Sequence, residues 1–293
     1  MNKRPVVLLT GASVGLGLEL AKMLIQEDKY RLFLTARPSS LDRFEKAGIT
    51  NTEFIHLRGL DVTFNNMRED LIQEINEKFD GVDVLINNAG FTYRSVSEHV
   101  TESERLVQME TNFRAPMELI RLCLPKMRKR RSGKIINISS VGGQMAMPTM
   151  GVYSASKHAL EGSTESLWYE VKPWNIKVCL VAPGFINSDG FEKVKKTPLG
   201  QTESNDSETA YFYHYKYMED FIGKIMRFTP STSKSVAKKV IKVINAKTPP
   251  LRVWGTWDAV VFSLLRKFMP QRLYHFVLYY SLPHIKDWGK SNK

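Results

Sequence analysis

Cysteine is scarce: the 293-residue chain has two, Cys123 and Cys179. Neither stands in a Cys-x-x-Cys pair or at metal-ligand spacing from a histidine. The pattern therefore carries no disulfide framework and no metal site, and suits two small buried apolar residues in a reducing compartment. No run approaches the roughly 18 consecutive apolar residues of a spanning helix. Met1-Asn2-Lys3-Arg4 ahead of Pro5-Val6-Val7-Leu8-Leu9 mimics the start of a signal peptide. The apolar run is short and glycines follow it, so it reads as a first strand and its turn. Internal repeats and low-complexity segments are missing. So are helix-turn-helix, zinc-finger and RNA-binding motifs, so nucleic acid is not expected as a partner despite a net charge of +12.

The composition is that of a globular chain, 43% hydrophobic and 25% charged, which excludes disorder or a fibrous class for the whole chain. The positive charge falls in two clusters. One is Lys126, Arg128, Lys129, Arg130, Arg131 and Lys134; the other is Arg266, Lys267, Arg272, Lys286, Lys290 and Lys293. A solvated basic surface and attraction to an anionic membrane, cofactor or substrate all remain open.

Short apolar runs alternate with longer helical patterns. Strands are expected at Val6–Leu9, Leu32–Thr35, Phe54–Leu60, Val82–Ile86, Lys134–Ile138 and Lys177–Val181, with a short last one at Leu251–Trp254. They are apolar almost throughout, as strands covered on both faces are. Helices are expected at Leu16–Gln26, Met67–Phe79, Glu104–Met127 and Ser154–Glu170. The order predicts an α/β fold, a Rossmann-type doubly wound parallel sheet in one domain. Residues 1–255 would form it, including a substrate-lid region at 185–230, with a C-terminal helical extension at 256–293.

The first βα turn reads Thr10-Gly11-Ala12-Ser13-Val14-Gly15-Leu16-Gly17. Gly11, Gly15 and Gly17, with Ser13 and Leu16 between them, let a backbone approach a pyrophosphate at a helix N-terminus. A tight βα connection alone would also use such a turn. The second strand ends Ala36-Arg37, with no acidic residue to take a ribose 2′-OH. A guanidinium suits a 2′-phosphate and favours NADP(H). Asp61-Val62 after the third strand can meet an adenine, or Asp61 can simply cap the next helix. Asn88, Ala89 and Gly90 leave room for a cofactor beside the backbone.

Tyr153 and Lys157 stand at i and i+4, on one helix face, with Ser140 upstream. A phenol near pKa 10 is a poor acid–base group at neutral pH. An ammonium beside it is expected to lower that pKa toward the working range. A serine hydroxyl next to the phenol can steady a substrate oxygen.

TGASVGLG at 10–17, NNAG at 87–90, Asn112, Ser140, YSASK at 153–157 and PGFINS at 183–188 together resemble the classical short-chain dehydrogenase/reductase family. The resemblance spans nearly the whole chain. It implies that Tyr153 is the proton donor and acceptor, that Lys157 tunes it and holds the nicotinamide ribose, and that Ser140 is the substrate-oxygen ligand. It implies further that Asn112 holds a relay water. Pro183, Gly184, Ile186 and Ser188 would contact the nicotinamide carboxamide; Ser188 stands where the family usually has Thr. A narrower resemblance, YSASKHALEGSTESL at 153–167 and Pro250-Leu251-Arg252, is to 17β-hydroxysteroid and retinol dehydrogenases. It implies a lipophilic alcohol or ketone.

The expectation is an NADP(H)-dependent oxidoreductase, cytoplasmic or peripheral on a membrane, a homodimer or homotetramer through the long helices. Alternatives are a nucleotide-binding pseudoenzyme, a reductase of β-ketoacyl or other small carbonyls, and a peripheral membrane protein. The aromatic stretch 211–228 is expected as a lid or as an ordinary amphipathic helix. Met145, Met147 and Met150 are expected in a pocket wall or the core. His158 is expected in a packing role, and His99 and His214 have no evident partner. The tail from Trp257 to Tyr280 suits a covering helix, a subunit contact or an anionic membrane.

Overall fold

The computed structural model describes residues 4–187 and 195–290. Seven strands form one parallel sheet: β1 (Val6–Leu9), β2 (Arg31–Ala36), β3 (Ile55–Gly59), β4 (Val84–Asn87), β5 (Gly133–Ile138), β6 (Ile176–Ala182) and β7 (Arg252–Trp254). Their order is β3-β2-β1-β4-β5-β6-β7. Leu8 lies between Phe33 on one side and Leu85 on the other, which fixes the central register. β1 and β4 are buried along their whole length, so the apolar runs meet the requirement that both sheet faces be covered.

Helices α1 (Gly15–Glu27) and α9 (Ser233–Asn245) cover one face. Leu20 and Leu24 of α1 share a core with Val236 and Val240 of α9 and with Cys179 of β6. α3 (Asn65–Phe79), α5 (Ala115–Arg130) and α6 (Gly151–Val171) cover the other. There Ile75, Leu119, Cys123 and Leu167 pack with Phe33. Each such side chain contributes roughly 2 kcal/mol by leaving water. Two short helices, α2 (Asp42–Lys46) and α7 (Pro198–Glu203), fall in the β2–β3 and β6–β7 connections. Both cysteines are unpaired and buried, and burial pushes each thiol up to about 12. The chain is a single-domain Rossmann-type α/β fold.

One helix differs from expectation. The stretch expected as Glu104–Met127 is α4 (Glu102–Met109), a π turn over Glu110–Arg114, and then α5. Thr101 starts α4 through a capping box with Glu104, two residues before the apolar pattern begins. The widened turn holds buried Asn112, whose side chain reaches out of the helix to Phe91 and Ser156. π turns of this kind recur at functional sites.

The first basic cluster is largely spent inside the molecule. Lys126 pairs with Asp80 and Arg130 with Asp83, and Arg131 donates to the Pro173 carbonyl. Lys134 caps the end of α9 through the Val243, Ile244 and Ala246 carbonyls, and burial lowers its pKa. After β7 come α10 (Trp257–Phe268) and α11 (Gln271–Ser281), broken at Pro270 as the sequence suggested. Their inner residues Ala259, Phe262, Tyr274 and Leu278 pack on Val141 and Met145.

Candidate active site

The chain leaves β3 and returns as β4 on the far side of β1, so the strand order reverses there. Ligands of open α/β sheets sit outside the strand ends at such a switch point. The loops at that rim are the Thr10–Gly17 turn, Asn88–Gly90 and Ser139–Gly143. Thr10 Oγ1 accepts from the Asn88 and Ala89 amides at 3.0 Å each, and Asn88 Nδ2 donates to the Thr10 and Gly11 carbonyls. Two of the loops named from sequence are thus bonded to each other.

The turn fits a dinucleotide. A Cβ on Gly17 would overlap the Gly11 carbonyl, and one on Gly11 would come within 2.9 Å of Ala89 Cα. Gly15 takes φ +54 with open space where a side chain would be. The N-terminus of α1 has no side-chain cap and no acidic residue in its first turn. Its amide dipoles are left for an anion. Arg37 is exposed at the end of β2. Asp61 accepts from the Thr63 amide at 3.0 Å and its hydroxyl at 2.7 Å, so its local turn role is real. Val62 is buried beside it.

On α6, Tyr153, Lys157 and Glu161 follow each other at one-turn spacing. Lys157 Nζ donates to the Ile138 carbonyl at 2.9 Å and lies 5.9 Å from the Tyr153 ring centroid. Burial pulls the Lys157 amine down to about 8, against the Glu161 carboxylate, which raises it. The Tyr153 phenol is pushed up by burial, opposed by Ser140 and Arg94. This is the reverse of the lowered phenol expected from sequence. The physical reason is that desolvation of the phenolate outweighs the neighbouring donor and charge.

Ser140, Tyr153 and Lys157 line one cavity of about 390 Å³, together with Leu16, Asn88 and Gly90 on one side and Pro183, Gly184 and Ile186 on the other. Ser140 sits close to the phenol ring, since a Cβ on Gly142 would meet Tyr153 Cε1 at 3.1 Å and Ser140 Oγ at 3.4 Å. Ser139 points elsewhere, donating to Glu161 at 2.8 Å. Asn112 stands behind the cavity. Its Nδ2 donates to the Phe91 carbonyl at 2.9 Å and Ser156 Oγ at 3.0 Å, and its Oδ1 accepts from the Phe91 amide. Gly90 faces both Asn112 and Lys157. Gly11, Ser13, Gly15, Gly17, Arg37, Asp61, Val62 and Ala89 lie outside the cavity lining, along the rim. Ser188 lies outside the described residues. Among the described residues no cluster of metal-ligating side chains converges.

A sequence profile of the short chain dehydrogenase family matches residues 5–199. The chain belongs to the classical short-chain dehydrogenase/reductase family. A 3-ketodihydrosphingosine reductase of Bacteroides thetaiotaomicron is 34% identical over 274 residues, 93% of this chain and 96% of that one. Retinol dehydrogenase 8 of Homo sapiens is 32% identical over 251 residues, 84% of this chain and 79% of the relative. The solved structure of ElxO with NADP bound superposes with a TM-score of 0.68 at 25% identity, covering 86% of this chain and 98% of that one.

Sequence reasoning missed several residues of this short-chain dehydrogenase. Glu161, buried, and Arg252, a quarter exposed, form an ion pair at 2.7 Å, and Glu161 also accepts from Gln144. The two fragments of the narrower resemblance, LEG and PLR, therefore meet behind Lys157. Arg94 and Phe91 line the cavity, as does Met226 from α8 (Phe212–Phe228). Met145, Met147 and Met150 are in its wall. Thr256 and Asp258 hold the Gly184 and Phe185 amides at 2.8 and 2.9 Å, tying α10 to the Pro183–Ile186 loop. His99, without an evident partner in the sequence, is buried with its Nδ1 3.0 Å from Tyr215 Oη. His214 packs against Trp288, and burial lowers its pKa. His158 is exposed, its ring nitrogen on the Ser154 carbonyl, away from the cavity.

Proposed function

We propose that this short-chain dehydrogenase is an NADP(H)-dependent oxidoreductase acting on lipophilic ketones, aldehydes or the matching alcohols. The observation that carries it is Ser140, Tyr153 and Lys157 lining one cavity whose wall also holds Phe91, Met145, Met147, Met150, Phe185 and Met226. When bound, NADP(H) supplies or accepts a hydride at its nicotinamide ring. Gly11, Ser13, Gly15, Leu16 and Gly17 would hold its pyrophosphate at the α1 N-terminus. Arg37 would take the 2′-phosphate, Asp61 and Val62 the adenine, Lys157 the nicotinamide ribose. Asn88, Ala89 and Gly90 would leave passage for it. Pro183, Gly184, Ile186 and, by sequence alone, Ser188 would hold the carboxamide. The NADP-bound ElxO and the lipid-related names of both relatives support this reading.

In reduction, Ser140 orients the substrate oxygen and Tyr153 gives it a proton. A raised phenol pKa keeps that proton in place at neutral pH, the state a donor needs. As the phenol loses its proton, the charges of Lys157 and Arg94 lower the cost of the phenolate. Both side-chain N–H groups of Asn112 are engaged, so it acts by positioning Phe91 and Gly90 and the relay water beside them. Residues 1–255 make the cofactor unit and 256–293 the appended helices.

The appended helices would meet a membrane. Trp257, Phe268, Phe276 and Tyr280 are each at least 60% exposed on α10 and α11, beside exposed Arg266, Lys267 and Arg272. No acidic residue occurs between Ala259 and Ser281. No helix among the described residues is long and apolar enough to cross a membrane, and a basic-apolar pair of this kind suits an anionic surface. Self-association is proposed through exposed Leu106 and Val107 of α4 and Tyr169 of α6, in the cytoplasm, where both thiols stay reduced.

The test is NADPH oxidation by the purified protein over a panel of steroid ketones, retinal, medium-chain aldehydes and β-ketoacyl thioesters. Turnover of a lipophilic carbonyl that falls by two or more orders of magnitude in Tyr153→Phe is the expected result. Tight NADPH binding with no turnover of any member would favour the nucleotide-binding pseudoenzyme instead.

A further inference from the structure

Glu161 lies one turn beyond Lys157 on α6, buried and behind the cavity wall. The loop after β5 and strand β7 both reach its carboxylate. Arg252 of β7 donates to Oε2 at 2.7 Å, and Gln144 donates to the same oxygen at 3.2 Å. Ser139 donates to Oε1 at 2.8 Å. A Cβ on Gly143 would stand 2.7 Å from Oε1, so the loop closes directly on the carboxylate. Ser140 sits between the two loop donors. The same stretch is bonded to the β6 end, where the Val181 and Pro183 carbonyls accept from the Ser139 and Val141 amides at 2.8 and 2.7 Å. The backbone of Ser140 is thus held by the sheet, and the side chains that flank it by Glu161.

An ion pair such as Glu161–Arg252 is weak evidence for stability, because well-packed apolar residues of similar volume serve as well. Its place beside the catalytic group suits a role in the chemistry. Lys157 faces Tyr153 and Glu161 along its own helix, the Ile138 carbonyl of β5, and Asn112 across Gly90. Glu161 faces Arg252 from β7 and the Ser139 and Gln144 side chains from the loop. Arg94 acts on the Tyr153 phenol from the cavity wall. Burial pulls the Lys157 amine down, and the Glu161 carboxylate opposes it. Arg252 is a quarter exposed and Glu161 is buried, so solvent screens the cation more than the anion. The carboxylate therefore keeps a pull on the ammonium group despite its closer partner.

We propose that Glu161 is a positioning residue for the reaction: anchored by Arg252, its carboxylate holds the loop that presents Ser140 and sets a negative charge one helix turn from Lys157. The inference rests on the oxidoreductase reading above and adds to its machinery a residue that touches neither substrate nor cofactor. Without the carboxylate, Lys157 loses its proton at a lower pH. The phenolate that forms on Tyr153 then lacks its neighbouring cation, and reduction fails from the basic side. Without the loop bonds, the Ser140 hydroxyl is less well placed for the substrate oxygen.

The test combines steady-state reduction of a lipophilic ketone with a cofactor-free titration of Lys157, read from the carbon NMR shift of its Cε and assigned with Lys157→Met. In the parent the amine is expected to titrate at about 8. In Glu161→Gln that titration and the basic limb of the kcat profile should both fall by at least about half a pH unit. The kcat of this variant should drop at least about tenfold with the ketone KM within about threefold of the parent's. Glu161→Asp keeps the charge and should recover part of both. Ser139→Ala with Gln144→Ala leaves the ion pair in place and frees the loop, so kcat should fall while the Lys157 titration stays. If Glu161→Gln does not fold, these last two variants carry the same comparison. A Lys157 titration unmoved by removal of the carboxylate, or a kcat unmoved by release of the loop, would overturn the assignment. Failure of the parent to reduce any carbonyl would instead overturn the oxidoreductase reading, and the NMR titration would still decide whether Glu161 acts on the amine.

Discussion

Lys157 is held in the fold as a buried cation whose amine titrates at about 8 where an ordinary lysine titrates near 10.5. Between those values the unfolded chain binds more protons than the folded one, so stability rises with pH there. Below pH 8 the cost is fully present; above about 10.5 it is gone. At roughly 1.4 kcal/mol per pKa unit it amounts to about 3 kcal/mol. Lys157→Met should raise stability at pH 7 by about 1–3 kcal/mol, the lower figures reflecting the Ile138 carbonyl left without its donor. The same change should remove turnover. Urea unfolding at pH 7 and pH 10 checks this: the variant should lose the parent's gain in stability with pH, and a variant less stable than the parent at pH 7 would refute it. Gly17 is constrained in the opposite sense. A methyl there overlaps the Gly11 carbonyl, so Gly17→Ala should unfold the turn's geometry, lower the melting temperature and abolish NADPH binding in a fluorescence titration. Normal NADPH binding by the Gly17→Ala variant would show that the turn can widen freely.

At the scale of elements, the strands were legible because a sheet covered on both faces demands near-continuous apolar runs, and Val6–Leu9 came out with its expected bounds. That Tyr153, Lys157 and Ser140 would come together was legible because two share a helix face and the third lies two residues beyond a strand, and the three line one cavity. The break at Glu110–Arg114 was not, since its cause is a bond from Asn112 to Phe91, 21 residues away, that no periodicity records. Nor was the Glu161–Arg252 pair, whose partners are 91 residues apart. The direction of the Tyr153 shift was missed for a similar reason: spacing shows the ammonium but not the desolvation. Glu161→Gln leaves Arg252 without its carboxylate. Arg252 is a quarter exposed, which moderates the loss to about 2–3 kcal/mol. The double variant with Arg252→Met should recover part of it in a denaturation cycle; additive losses would mean the pair contributes nothing as a pair.

Across the whole molecule the positive charge divides by use. Lys126, Arg130, Arg131 and Lys134 of the first cluster are bound to carboxylates and backbone carbonyls, whereas Arg266, Lys267 and Arg272 are exposed among exposed aromatic residues. Composition could count these charges but not tell which of them meet carboxylates and backbone carbonyls. The inner side of the same two helices packs on Val141 and Met145, next to the cavity wall. Sedimentation with vesicles containing a third phosphatidylserine should pull down the protein, and Arg266→Glu with Phe268→Ser should reduce binding at least fivefold while leaving NADPH binding intact. Equal sedimentation of the variant would dismiss the membrane reading and leave α10 and α11 as a cover or a subunit contact.

Hydride transfer to a lipophilic carbonyl is the claim on which the rest depends. It is tested most directly by incubating the protein with a lipophilic ketone and NADPH deuterated at the nicotinamide C4, and weighing the product by mass spectrometry. The account predicts an alcohol carrying one deuterium on the former carbonyl carbon, formed by the parent protein and not by Tyr153→Phe. An NADPH-saturated protein that forms no deuterated alcohol from any lipophilic carbonyl would contradict it.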